Sequence, residues 1–204
     1  MSNDHQLYKN SLKNWKDTTV HFRGTVPVNW SDKDLNDLKW EETFCIDELP
    51  VDDLWNTSAT EFKLWQEDLY RSWGHIKPAT QHYMSFEPRL EFDLSNILAK
   101  IGSTNGSFTL NFMKIPAGRI IPWHCDTYGY AINKFNVPPD RITDIQRTIV
   151  FMEDWSFGQV VQFGDSVLSH WKAGELYTWQ HEAWHGLANF GNKDVVIMQI
   201  TNYE

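Results

Sequence analysis

Cysteine is nearly absent: Cys45 and Cys125 are the only two in 204 residues, too few for a disulfide framework. No apolar run approaches the roughly 20 residues that cross a bilayer. The opening MSNDHQLYKNSLKNW is polar and lacks the apolar stretch of a secretory leader. Cationic residues are scarce beside acids, 18 Lys and Arg against 27 Asp and Glu, for a net charge of −9. That balance disfavours sequence-independent binding to nucleic acid. No internal repeat or low-complexity linker interrupts the chain. These absences exclude a disulfide scaffold, a helical membrane span and a repeat array, and they lead us to expect a cytoplasmic, reduced protein of one domain.

Aromatic residues are abundant, with eleven Trp, seven Tyr and twelve Phe. They suit either a ring-packed β-core or a surface that stacks on sugars. Nine of the acids lie between Ser31 and Asp53, facing only Lys33 and Lys39, as expected of a solvated segment. Residues 1–79 read as a mixed helical region. In TSATEFKLWQEDLYRSWGH (57–75), Ser58 and Glu61 have capping-box spacing, Phe62, Trp65, Leu69 and Trp73 share one helical face, and Gly74 ends the helix. A shorter helix is expected within 32–40. From residue 80 to 204, short β-branched and aromatic runs (HYMSFEP, RLEFDLS, GSFTLNFMKI, RTIVFMED, GQVVQFGD, GELYTWQ, VVIMQITNY) alternate with Gly and Pro turns. Evenly spaced strands of this kind predict a mainly β sandwich or barrel with the helices packed against it.

The stretch PWHCDTYGY (122–130) holds the chemistry. His124 and Asp126 stand at i and i+2, so on an extended segment both side chains leave the same face and can converge on one ion. Three histidines downstream could supply a third ligand. His170 sits in an unrelated turn and His181 in a loop, whereas His185 follows a strand, AGELYTWQ, and precedes the last one. Two histidines and one carboxylate on one face leave the opposite positions of Fe(II) open for a co-substrate and O₂.

Taken together, IPAGRIIPWHCD, RTIVFMEDW, AGELYTWQHEAWHGLANFG and the closing strand resemble the Fe(II)- and 2-oxoglutarate-dependent oxygenases. The branch is that of the aspartyl/asparaginyl β-hydroxylases and free-proline hydroxylases, and the resemblance spans about residues 80–204. It implies a double-stranded β-helix, or jelly roll, with iron held by His124, Asp126 and His185. It also implies that 2-oxoglutarate and O₂ are consumed to hydroxylate a substrate, with an amino acid or a peptide side chain expected. Halogenating relatives replace the carboxylate by a small residue, so by this resemblance Asp126 argues against halogenation and supports hydroxylation or desaturation.

The distal carboxylate of 2-oxoglutarate calls for a fork of donors, which arginine supplies. Arg147 falls where this branch carries an arginine beside the co-substrate. The arginine that relatives commonly place after the distal histidine is missing: no arginine follows His185, and Lys193 stands near its place. Asn189 suits either orientation of the co-substrate or a turn. Trp123, Tyr128 and Tyr130 are expected to wall the pocket, Cys125 to face the core, and Arg119 and Arg141 to be solvated. Residues 1–80 and the insert 133–146 are expected to shape access for the substrate. Two other readings stand beside this one. A cupin-like metalloenzyme would not use an oxoacid, and a Trp-rich jelly roll could bind carbohydrate without catalysis.

Overall fold

The computed structural model describes residues 20–46, 57–86, 94–103, 107–126, 128–180 and 183–203, with the side chains of 57–63 outside that set. Along the chain lie β1 (Val20–Thr25), α1 (Asp32–Asn36), β2 (Glu41–Phe44), α2 (Thr57–Ser72), β3 (Gln81–Ser85), α3 (Ser95–Ile101), β4 (Phe108–Ile115), β5 (Arg119–His124), α4 (Gly129–Phe135), β6 (Gln146–Phe151), β7 (Gln159–Phe163), β8 (Ser166–Leu168), β9 (Glu175–Gln180), β10 (His185–Asn189) and β11 (Val195–Asn202). The larger sheet has the order β1-β9-β6-β11-β4-β3-β2 and the smaller β5-β10-β7-β8. From β4 to β11 the chain passes back and forth between two antiparallel sheets, apart from the β7–β8 hairpin within the smaller one. That winding is a double-stranded β-helix, with β1 added at one edge of the larger sheet and β3 and β2 at the other.

The core explains why the last strand reads as a continuous apolar run. Val195 and Ile197 of β11 face the smaller sheet, in a cluster with Ile149, Phe151, Val161 and Phe163. The intervening Val196, Met198 and Ile200 face the opposite way, against Leu35 and Leu38 near α1 and Ile97 and Ile101 of α3. A strand covered on both sides loses the polar half of its alternation. Burying each such side chain contributes about 1.5–3 kcal/mol, so the sheet interior fixes the register that the functional residues inherit.

The expected α1 is present, and Ser31 caps it reciprocally with Asp34. Within α2 the buried face is displaced from the expected one. Gln66, Glu67 and Tyr70 are buried, whereas Trp73 is 42% exposed, because the helix turns its polar edge toward the β5 end. The expected cap of Ser58 with Glu61 lies among side chains outside the described residues. Most of the expected strand RLEFDLS (89–95), residues 89–93, lies outside the described residues, and Ser95 opens α3, which Gly102 closes at φ +77°. β1 and β2 belong to the larger sheet, so residues 1–79 contribute strands as well as helix. Among the described residues no helix is long and apolar enough to cross a membrane.

Candidate metal centre

β5 and β10 are antiparallel neighbours in the smaller sheet, and their register pairs His124 with His185. The two rings stand 4.2 Å apart between centroids. Asp126 lies two residues past the end of β5, and the donor atoms of His124, Asp126 and His185 all fall within 4.8 Å of one another. Nε2 of His124 is 3.6 Å from Asp126 Oδ1, and Nε2 of His185 is 3.7 Å from Oδ2. A first-row divalent ion bonded at about 2.1 Å to donors in cis positions holds them about 3 Å apart. The two histidine–carboxylate spacings therefore each need to contract by less than 1 Å.

Each ring is aimed by a carbonyl two residues upstream. His124 Nδ1 donates to the Pro122 carbonyl at 2.9 Å, and His185 Nδ1 donates to the Ala183 carbonyl at 2.9 Å. Because a carbonyl only accepts, Nδ1 carries the hydrogen and Nε2 keeps its lone pair for a metal. Burial, and then the neighbouring His124, bring the His185 imidazole down to about 3, so it stays neutral at physiological pH. Burial alone would raise the Asp126 carboxyl. The Arg147 guanidinium and the two imidazoles outweigh it and hold that carboxyl well below the usual carboxylate range. Two imidazole nitrogens and one carboxylate fit a divalent iron, manganese or zinc ion.

Two further contacts hold the Asp126 segment. Gln66 of α2 reaches across to donate from Nε2 to the Cys125 carbonyl at 2.9 Å, between the two ligands in sequence. Tyr128 takes φ +53°, a left-handed conformation uncommon for a bulky residue and typical of functional turns. Its ring lies under the Arg147 guanidinium, 5.2 Å from the ring centre.

The three ligands open onto a cavity of about 320 Å³ between the sheets, whose lining includes Arg147, Gln199, Phe163 and Trp179. Arg147 is the one Lys or Arg among the described lining residues. Its Nε stands 3.7 Å from Asp126 Oδ2 and its Nη1 donates to Gln199 Oε1 at 3.2 Å. Gln199 in turn accepts from Asn111 Nδ2 at 2.9 Å. The guanidinium is thus fixed beside the candidate ligands on the wall of the cavity.

The structure does not bring every candidate to this place. Asn189 ends β10 opposite His185 and uses its amide in the next turn, donating to the Ile115 and Lys193 carbonyls at 3.0 and 2.8 Å while its oxygen accepts from Gly191 N. Lys193 is exposed in that same turn. Both stand a whole strand away from the ligands, because β10 runs from His185 to Asn189. Trp123 points out of the barrel, where it meets Cys125, Trp184, Trp65 and Leu69. Tyr130 is 65% exposed. Tyr128 backs the site without lining the cavity, and none of the described side chains of 133–146 lines it either. Cys125 is buried as expected. Arg119 donates to Gln81 Oε1, and Arg141 pairs with Asp144 at the surface. His170 stacks on Trp155 away from the cavity, and His181 lies outside the described residues.

Several lining residues carried no motif. Ile149 and Leu187 could have been found by counting two residues along the pleat from Arg147 and His185, whereas Phe163 and Trp179 are their cross-strand partners and needed the register. His82, Met84 and Thr43 could not be found by counting, since they come from strands added to the sheet edge.

No family model matches this chain, and no curated protein matches it. Among solved structures it is similar to a predicted oxalate decarboxylase from Thermotoga maritima, with 12% identity over 61% of this chain and 82% of that one and a TM-score of 0.37. It is also similar to an uncharacterized conserved protein with a double-stranded β-helix domain from Klebsiella pneumoniae (15% identity, 47% and 67% covered, TM-score 0.33). A third is a cupin-2 domain containing protein from Shewanella frigidimarina (16% identity, 48% and 72% covered, TM-score 0.32). By its own strand order, this chain is a double-stranded β-helix with a two-histidine, one-carboxylate cluster at the mouth of its inner cavity.

Proposed function

We propose that this protein is an Fe(II)- and 2-oxoglutarate-dependent oxygenase that hydroxylates a substrate bound inside the barrel. The observation that carries the reading is the convergence of His124, Asp126 and His185 on a cavity whose lining includes a fixed arginine. Nε2 of each histidine and a carboxylate oxygen of Asp126 would hold the iron. When bound, iron and 2-oxoglutarate supply the oxidising power, with O₂ consumed and succinate and CO₂ released.

The protein's own residues do the remaining work. Neutral His185 and ionised Asp126 are in their metal-binding forms before any metal arrives. Arg147 is the group for the distal carboxylate of the oxoacid, which it can meet with a fork of N–H donors. The apolar lining, Phe163 and Trp179 above all, excludes water from the reacting face.

A second reading, a metalloenzyme that uses no oxoacid, draws on one observation. Arg147 already meets Asp126 and Gln199, so an incoming carboxylate has to share or displace those partners. Carbohydrate binding has less support: of the tryptophans among the described residues, only Trp73 is exposed, and the rest are buried or half-buried.

Turnover of 2-oxoglutarate without added substrate separates these readings. Iron-loaded protein is expected to form succinate slowly, and His124→Ala and His185→Ala are expected to form none. Iron binding with no succinate at any oxoacid concentration would favour the second reading.

A further inference from the structure

His82 has no part in the chemistry above, yet it shares a local geometry with the two histidines that do. Its Nδ1 lies 3.0 Å from the carbonyl of Thr80, two residues upstream. His124 and His185 show the same relation to Pro122 and Ala183. Thr80's carbonyl cannot donate, so Nδ1 of His82 bears the hydrogen and Nε2 of the neutral ring bears a lone pair. Cys45 Sγ also stands on the Nδ1 side, at 3.9 Å. No described residue forms a hydrogen bond with Nε2. His82 is only 8% exposed, and burial keeps its imidazole below the ordinary histidine range, which favours the neutral ring.

The position of His82 gives that lone pair a purpose. His82, Met84 and Phe86 alternate onto the cavity from β3 and its continuation, and Thr43 of β2, the register partner of His82, lines it beside them. This wall belongs to the strands added to the core, opposite the smaller sheet that carries His124 and His185. His82 lines the cavity and stands outside the cluster of mutually close metal donors.

We infer that His82 Nε2 is the acceptor by which the cavity recognises its substrate, and that this substrate is an uncharged, largely apolar molecule presenting one O–H or N–H group. The reaction performed on it rests on the oxygenase reading; the binding does not. The rest of the lining fits this class. Met84, Met113, Ile121, Val161 and Leu187 offer apolar contact, and Asp126 is the one carboxylate among the described lining residues. Asp126 is already engaged with Arg147 and the two imidazoles. A free amino acid would bring in an ammonium group with no other carboxylate to meet it among those residues, and an unpaired buried charge is strongly disfavoured. Of the substrates expected from the sequence, the free amino acid is therefore the one this cavity disfavours.

The test uses the full chain loaded with Zn(II), with histidine nitrogens labelled, and three probes of one shape: benzyl alcohol, benzyl methyl ether and benzylamine. Nitrogen NMR should find His82 Nε2 unprotonated in the ligand-free protein and shifted by the alcohol. The alcohol should bind about tenfold more tightly than the ether, the worth of one buried hydrogen bond. In His82→Phe the two should bind within about twofold of each other, with Zn(II) affinity unchanged. Four results would overturn the inference: a hydrogen on Nε2 in the ligand-free protein, equal binding of alcohol and ether to the native chain, tightest binding by the ammonium form of benzylamine, or binding by none of the three. Binding to the zinc form needs no turnover, so a chain that consumes no oxoacid would defeat the oxygenase reading and still give the expected result here.

Discussion

His124 and His185 face each other across the β5–β10 ladder, one the last residue of its strand and the other the first of its own. Both rings are turned by a carbonyl two residues upstream. The β5–β10 register and these two carbonyls together orient the pair.

The buried, neutral state of His185 has a consequence for stability. Its imidazole titrates near 3 when folded, against 6.5 as the ordinary value. Between those limits the unfolded chain holds a proton on this residue and the folded chain does not, so stability falls as pH falls. The loss amounts to at most about 1.4 kcal/mol per pH unit below 6.5. The Asp126 carboxyl, lowered when folded, adds its own loss only below about 4, where the unfolded carboxyl takes up a proton. Urea unfolding of the metal-free protein at pH 7.5 and pH 5 should show this decline, and His185→Asn should show a shallower one. Equal slopes for the two proteins would contradict it.

Gln66 tests whether α2 takes part in the centre. Its amide is the donor to the Cys125 carbonyl, and that peptide joins the two ligands nearest in sequence. Replacement by Leu should weaken metal binding by about 10- to 100-fold, as loss of a group that orients a ligand does. It should also cost about 1–3 kcal/mol for a carbonyl left unsatisfied. Gln66→Glu should resemble Gln66→Leu, because a carboxylate cannot donate to a carbonyl. Cobalt affinity, read from its visible spectrum, is the measurement; an unchanged affinity in both variants would remove Gln66 from the centre.

Arg147 should separate metal from co-substrate. Arg147→Met should keep metal affinity within a few-fold, since all three donors remain, and should weaken 2-oxoglutarate at least tenfold through loss of a charge-assisted fork. Arg147→Lys should fall between, keeping charge without the fork. Competition binding to the metal-loaded protein checks both, and an oxoacid affinity that ignores Arg147 would require another anchor.

The legible part of this protein was the part carried by spacing. The i, i+2 pair of His124 and Asp126 needed only an extended backbone, and His185 needed only a strand late in a rolled sheet. Arg147 was legible because it opens a strand whose inward side the pleat then fixes. Asn189 and Lys193 were expected nearer the site, since β10 was not separated from the turn that follows it. Trp123 and Tyr130 flank the ligands in sequence but not in space: one residue along a strand reverses the face, and Tyr130 lies in α4. In α3, Leu94, Ile97, Leu98 and Ile101 follow a helical period, and only the apolar run before them suggested a strand. His82 was hidden for another reason. Its role depends on β3 joining β4 at the sheet edge, a long-range pairing with no local signature.

Anaerobic titration of the metal-free protein with Fe(II) and 2-oxoglutarate tests the account most directly. A visible charge-transfer band should appear only when both are present, as for an iron-chelated keto acid. It should be lost in His124→Ala and His185→Ala, and should need far more oxoacid in Arg147→Met. Iron that binds to these residues without ever giving the band would contradict the oxygenase reading and leave a metal centre of another chemistry.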